Sequence, residues 1–165
     1  MDLAPVFKWS GAGYALPDGA GDWITTDPDA QDAYFNERAQ VLGSNLKPLV
    51  RMIKRWNSVH SRHLKSFHLE VLVNQAFSSL GDNSRRACEL FFEWAPNNLG
   101  VNDPAGHSGD LSQYLRLDSR QAIVNNLNSA KTRATQAIEA ENRSDHREAI
   151  RLWRIVFGDE FPAYG

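Results

Sequence analysis

A single cysteine, Cys88, stands in a chain of 165 residues. One thiol closes no intramolecular disulfide and supplies no Cys-rich zinc cage, so a disulfide scaffold and a cysteine-built metal domain are both excluded. Long apolar runs are missing as well. No stretch approaches the roughly 18 residues a membrane span needs, and the opening MDLAPVFKWSG lacks the apolar core of a secretion signal, so the expected setting is the cytosol, with no membrane partner. There is no internal repeat and no run of coiled-coil heptads. Nor is one sign of charge in excess: Lys+Arg number 18 against 20 Asp+Glu, a net charge of −2. That balance gives no general attraction to a polyanion, and DNA is not an expected partner.

What is present is enough to build a core. Residues of the hydrophobic set make up 42% of the chain and include 5 Trp, 8 Phe and 4 Tyr, which excludes a disordered or low-complexity class. The length suits one modest domain. Charge, neutral in sum, is uneven in place. Between Arg38 and Leu69 lie seven cations (Arg38, Lys47, Arg51, Lys54, Arg55, Arg62 and Lys65), three histidines and no acid. The rest of the chain therefore carries 11 cations against all 20 acids, so a local +7 sits beside a remainder of −9. A local positive field on a near-neutral protein suits a localised anion such as a phosphate chain better than a long duplex. A solvated helix face rich in Lys and Arg accounts for the same count.

The first 27 residues differ from those that follow. Leu3–Phe7, Tyr14–Leu16 and Trp23–Thr25 are short β-type runs separated by Ser10-Gly11-Ala12-Gly13 and Pro17-Asp18-Gly19, which predicts short strands joined by tight turns. From Asp27-Pro28 the pattern becomes helical, with a capping side chain ahead of a proline suited to the first helical position, and Gly43 as the stop. Ser44 is expected to cap a second helix, in which Leu46, Leu49, Val50, Ile53 and Trp56 recur on one face. A largely apolar helix is expected from Phe67 to about Leu80, another from Ser84 to Pro96, and a loop from Asn97 to Gly109. A long helix from about Ser119 to Asn142 follows, and Asp145 with Glu148 opens a last helix that Gly158 ends. The expected fold class is mainly α with a small N-terminal β element (α+β), a helical bundle, divided into a strand segment 1–27 and a helical domain 28–165.

Chemistry concentrates at Lys65-Ser66-Phe67. A helix N-terminus exposes backbone N–H groups and the positive end of its dipole; a serine at the cap adds a hydroxyl, and together they suit a phosphate oxygen. Lys54 supplies a second cation if its helix and the next form an antiparallel hairpin, and Phe67 a surface for a base to stack on. An ordinary N-cap beside a solvated lysine fits the same residues. His60-x-x-His63 with His68 or Cys88 specifies no metal geometry. Asp18, Asp22, Asp27 and Asp29 fall in turns, where aspartate serves local hydrogen bonds.

In order, Asp2-Leu3-Ala4-Pro5-Val6-Phe7, Leu16-Pro17-Asp18-Gly19, Trp23-Ile24-Thr25-Thr26-Asp27-Pro28, the helix Leu46–Asn57, Lys65-Ser66-Phe67-His68-Leu69-Glu70, Asn102-Asp103-Pro104 and Phe157–Pro162 match a pattern spread through nearly the whole chain. They resemble the C-terminal part of bacterial CD-NTases, nucleotidyltransferases related to cyclic GMP-AMP synthase and oligoadenylate synthase that make cyclic oligonucleotides in antiphage (CBASS) signalling. The resemblance implies that Lys54 and Ser66 contact the donor triphosphate of ATP or GTP, that Phe67 stacks near a base, and that Asp2 is the third metal-binding carboxylate of an Mg²⁺ centre.

A complete member of that family also carries a Gly-Ser motif on a helix and an Asp-x-Asp pair on a strand ahead of the matching region. Neither stands ahead of Asp2 in this sequence, which begins at Met1, and a two-metal transfer needs a cluster of carboxylates to bridge both ions. The expectation is a nucleotide-binding portion that does not catalyse transfer alone: a fragment, a truncated frame, or one partner of a separate N-terminal catalytic half. The alternative is a non-catalytic helical module whose basic stretch binds a protein or RNA.

Overall fold

A computed structural model describes residues 7–8, 13–17 and 23–164. Three short strands, β1 (Phe7–Lys8), β2 (Tyr14–Pro17) and β3 (Trp23–Thr26), form an antiparallel sheet in the order β1-β2-β3. Phe7 pairs with Ala15, and Tyr14 and Pro17 pair with Thr26 and Trp23. Gly13 enters β2 at φ +85°, and a Cβ there would lie 2.6 Å from the Thr26 carbonyl oxygen, so no other residue fits that turn without a shift. Most of the expected Leu3–Phe7 strand, with Asp2 ahead of it, lies outside the described residues.

From β3 the chain passes directly into α1 (Pro28–Leu42), where the Asp27 carboxylate accepts from the Ala30 N–H at 3.0 Å and Gly43, at φ +75°, ends the helix. Then come α2 (Leu46–Val59), α3 (Ser66–Gln75), α4 (Ser84–Trp94), a single 3₁₀ turn at Ala95–Asn97, α5 (Leu117–Asn142) and α6 (His146–Phe157). The apolar stripe of α2 places Leu49, Ile53 and Trp56 in the core, where the Trp56 ring lies 5.4 Å from that of Phe92. Fully burying side chains of this size contributes roughly 1.5–3 kcal/mol each. α5 packs on both α4 and α6, its alanines 130, 134, 137 and 140 forming a buried, narrow face that lets the neighbouring helices approach.

Three helix ends depart from expectation. α2 begins one residue later than a Ser44 cap implies, and Asn45 at its cap donates instead to Asp82 Oδ1 at 2.9 Å. α3 stops at Gln75 rather than Leu80, because the Arg38 guanidinium from α1 takes the carbonyls of Asn74 (2.8 Å) and Phe77 (2.5 Å) and satisfies them without further helix. At α6, Asp145 caps the Glu148 N–H at 3.1 Å, but the reciprocal half of the box is missing. The Asp145 N–H already donates to the Ala140 carbonyl at 2.8 Å, and the Glu148 carboxylate grips Arg151 with two bonds of 2.7 Å.

The end of α2 is tied to the end of α6. Arg55 Nε donates to the Phe157 carbonyl and His60 Nε2 to that of Val156, both at 3.0 Å. Gly158 follows at φ +83°, with a Cβ position 3.0 Å from Val59 Cγ2. Among the described residues no helix is long and apolar enough to cross a membrane.

Candidate functional site

α2 and α3 are joined by residues 60–65, and this short connection shapes a cleft. Ser61 and Arg62 both sit in left-handed conformations, φ 72° and 48°, an arrangement that needs support from its surroundings. Asn57, buried in the last turn of α2, provides it. Its amide donates to the Leu64 carbonyl at 2.8 Å, its oxygen accepts from the Leu64 N–H at 3.2 Å, and its own carbonyl accepts from the Arg62 N–H at 2.8 Å. The resulting cleft of about 460 Å³ is lined by Lys54, Asn57, Arg62, His63, Lys65 and Ser66, among others.

Ser66 is the first residue of α3 rather than its cap; the cap is Lys65, whose side chain makes no capping bond. The N–H groups of the first helical turn have no intrahelical acceptor. Ser66 is exposed, and its hydroxyl makes no hydrogen bond among the described residues, so a hydroxyl and a helix N-terminus face the cleft together. Lys54 reaches this cleft from α2 as the hairpin geometry requires, and it is ion-paired with Glu70 on α3. Phe67 does not line the cleft. It is half-buried, and its ring meets that of Phe35 on α1 edge-on at 6.0 Å and 87°. Asp2 lies outside the described residues.

The first turn of α3 is held by two residues whose roles are not visible in the sequence. The Tyr114 hydroxyl accepts the Lys65 N–H at 2.8 Å and donates to His68 Nδ1 at 3.0 Å, while His68 Nε2 donates to the Leu99 carbonyl at 2.8 Å. These bonds suit a neutral His68 imidazole, the form that burial favours by lowering its pKa. The Lys65 ammonium lies 4.6 Å above the Tyr114 ring centroid, a cation–π contact. Tyr114 comes from the loop before α5, 46 residues beyond His68, and no local spacing connects the two.

Other candidates resolve as structural groups. His60 and His68 are committed to backbone carbonyls, and Cys88 is buried with its thiol pushed up to about 12 by desolvation. Asp103, also buried, accepts from the N–H groups of Ala105 and Ser108 at 3.0 Å and shapes the loop before α5. The Phe161 ring stacks on Phe157 at 5.8 Å. Of the basic stretch, Arg38 and Arg55 are spent on carbonyls at helix ends. The positive charge left at the cleft is that of Lys54, Arg62 and Lys65.

No family model matches the chain. A probable cyclic nucleotide synthase of Bacillus cereus (strain VD146) is 31% identical over 173 residues, covering 99% of this chain and 52% of that protein. The cyclic AMP-AMP-AMP synthase of an Acinetobacter species is 27% identical, covering 98% of this chain and 50% of its own length. Among solved structures, CdnC of E. coli MS115-1 with ATP superposes with a TM-score of 0.80 over 97% of this chain and 60% of that one, at 15% identity. The chain is CD-NTase-like. It spans about half the length of the curated relatives it matches.

Among the described residues no group of three or more His, Cys, Asp or Glu is placed to hold a metal ion. What the described residues bring to the cleft is three cations, a hydroxyl and the N–H groups of a helix start.

Proposed function

We propose that this chain is the nucleotide-binding, C-terminal portion of a cyclic-oligonucleotide synthase, with the cleft between α2 and α3 taking the triphosphate of ATP or GTP. The observation that carries this reading is the meeting of Lys54 and the unpartnered Ser66 hydroxyl at the start of α3, with Arg62 and Lys65 beside them. In this reading the Ser66 hydroxyl and the first-turn N–H groups hold phosphate oxygens, and Lys54 and Arg62 neutralise them. Phe67, next along α3, offers its ring to a base, and residues 1–27 belong to a core sheet separate from the helical domain 28–165. Asp2 serves as one carboxylate of an Mg²⁺ centre whose other ligands, with the Gly-Ser and Asp-x-Asp motifs, come from a further catalytic half. Without them the 165 residues bind nucleotide and do not join it.

Titration of the chain with ATP or GTP tests the site. Lys54→Ala removes a charge-assisted contact of about 1.5–3 kcal/mol and should weaken binding roughly 10- to 100-fold, and Ser66→Ala, at about 0.5–1.5 kcal/mol, by up to roughly tenfold. Unchanged affinity in both variants refutes the assignment. Formation of linear or cyclic oligonucleotides from NTPs by the isolated chain refutes the inactivity. The rival reading, an RNA- or protein-binding basic surface, is weakened by the use of Arg38 and Arg55 as clamps on helix ends.

A further inference from the structure

Lys54 stands on the wall between two clefts. One is the cleft at Ser66; the other, of about 360 Å³, lies between α1, α2 and α3 and is lined by Phe35, Leu46, Val50, Arg51, Glu70 and Asn74, among others, together with Lys54 itself. Glu70 faces only the second cleft, and among the described residues its carboxylate has a single partner, the Lys54 ammonium. Ser66 and Glu70 are four residues apart on α3, so they share a face about one turn, or about 6 Å, apart. Lys54 therefore stands at the junction of the two clefts, paired with Glu70 while lining the cleft that Ser66 also lines. Both ends of the Lys54–Glu70 pair are about a third exposed, 35% and 32%, so the pair is weak enough to be exchanged.

We infer that Glu70 is a positioning residue for this cleft: its carboxylate holds the Lys54 ammonium one helical turn away from Ser66, and an incoming polyphosphate takes Lys54 from it. The inference rests on the reading of Lys54 as a triphosphate ligand. Glu70 thereby sets an affinity threshold. A single phosphate competes poorly for a paired lysine, whereas a triphosphate carries enough charge to exchange it. Removing the carboxylate frees the ammonium and lifts a like-charge repulsion from the approaching anion.

The test is a double-mutant cycle, read by calorimetric titration of the full 165-residue chain with sodium tripolyphosphate at low salt. Glu70→Gln should tighten binding about two- to fivefold, the range an exposed ion pair sets, and the gain should shrink as salt is raised. In a Lys54→Ala background the same substitution should give a much smaller gain, only that from the lifted repulsion. Glu70→Ala should repeat the result, and melting curves confirm that each variant is folded. Weaker or unchanged binding in Glu70→Gln overturns the inference, as does an equal gain with Lys54 absent, which makes Glu70 a bystander charge. Should Lys54→Ala alone leave affinity untouched, the triphosphate reading falls and takes the inference with it; a loss in Lys54→Ala without a gain in Glu70→Gln leaves that reading standing and removes only the tether.

Discussion

Replacing Asn57 by alanine removes the support of the loop that shapes the cleft. The amide exchanges two hydrogen bonds with Leu64, at 2.8 and 3.2 Å, and both residues are buried, Asn57 at 6% and Leu64 at 2% exposure. Each bond contributes about 0.5–1.5 kcal/mol net, and a buried amide group left unpaired costs about 1–3 kcal/mol. Alanine leaves the Leu64 N–H and C=O without the partner each now has, so the loss should total about 2–4 kcal/mol. The backbone bond from the Arg62 N–H to the carbonyl of residue 57 remains, but the turn through Ser61 and Arg62 loses its fixed end at Leu64, and the cation Arg62 is held less firmly. Urea unfolding of wild type and Asn57→Ala, with tripolyphosphate titration of both, measures the two effects. A midpoint drop with unchanged slope and a several-fold weaker anion affinity is the expected pair of results. Asn57→Asp sharpens the test, since it keeps an acceptor for the Leu64 N–H, loses the donor, and places a carboxylate in the cleft. It should weaken anion binding more than alanine does. A loss below about 0.5 kcal/mol in Asn57→Ala, the level of an ordinary surface change, refutes the reasoning.

Two further outcomes follow from buried titratable groups. Burial holds the His68 pKa below its ordinary value of 6.5, so as pH falls the unfolded chain takes up this proton first; stability held above about pH 6.5 should decline below it until the folded-state pKa is passed. Urea midpoints between pH 7 and 5 for wild type and His68→Gln measure this, and equal pH slopes in the two proteins contradict it. Cys88, fully buried with its thiol pushed up to about 12, should resist a thiol reagent at pH 8 in the folded protein and react promptly in urea; rapid native labelling contradicts the packing around α4.

Several helix starts and stops with a local cap were legible, but not those of Ser44 and Ser66, whose places at the caps of α2 and α3 are taken by Asn45 and Lys65. Asp27-Pro28, Asp145 and Gly158 act within a few residues of the ends they define, and the structure uses all three so. The end of α3 was not legible, because the group that terminates it is Arg38, on another helix and 36 residues before Asn74. At the site, Lys54 and Ser66 are brought to one cleft as a hairpin of α2 and α3 requires. Phe67 packs its edge on Phe35, a partner no spacing announces. Tyr114 and its link to His68 belong to the same class of long-range contact, invisible until the loop before α5 is folded back on α3. The charge count overstated the number of cations left at the cleft, because Arg38 and Arg55 are spent on helix-end carbonyls.

The two helices of the cleft are held at their ends by different devices, and this has a consequence for binding. α3 is held at its C-terminal carbonyls by Arg38 and at its first turn by the Tyr114 hydroxyl, while α2 is tied to the end of α6 through Arg55 and His60. The negative ends of the α3 and α6 dipoles thus each meet a guanidinium, where a cation is stabilising, and the positive end of α3 is left facing the cleft. A frame fixed in this way has its N–H groups in place before any anion arrives, so little ordering cost remains on binding. What still moves is side-chain chemistry, and chiefly Lys54, whose partner in the unliganded chain is Glu70. Selectivity for a highly charged ligand then comes from the exchange of one ion pair rather than from rearrangement of the backbone, which is why the substitutions at Glu70 and Asn57 should separate: the first raises affinity at the cost in stability of one exposed ion pair, no more than about 1 kcal/mol, and the second lowers both.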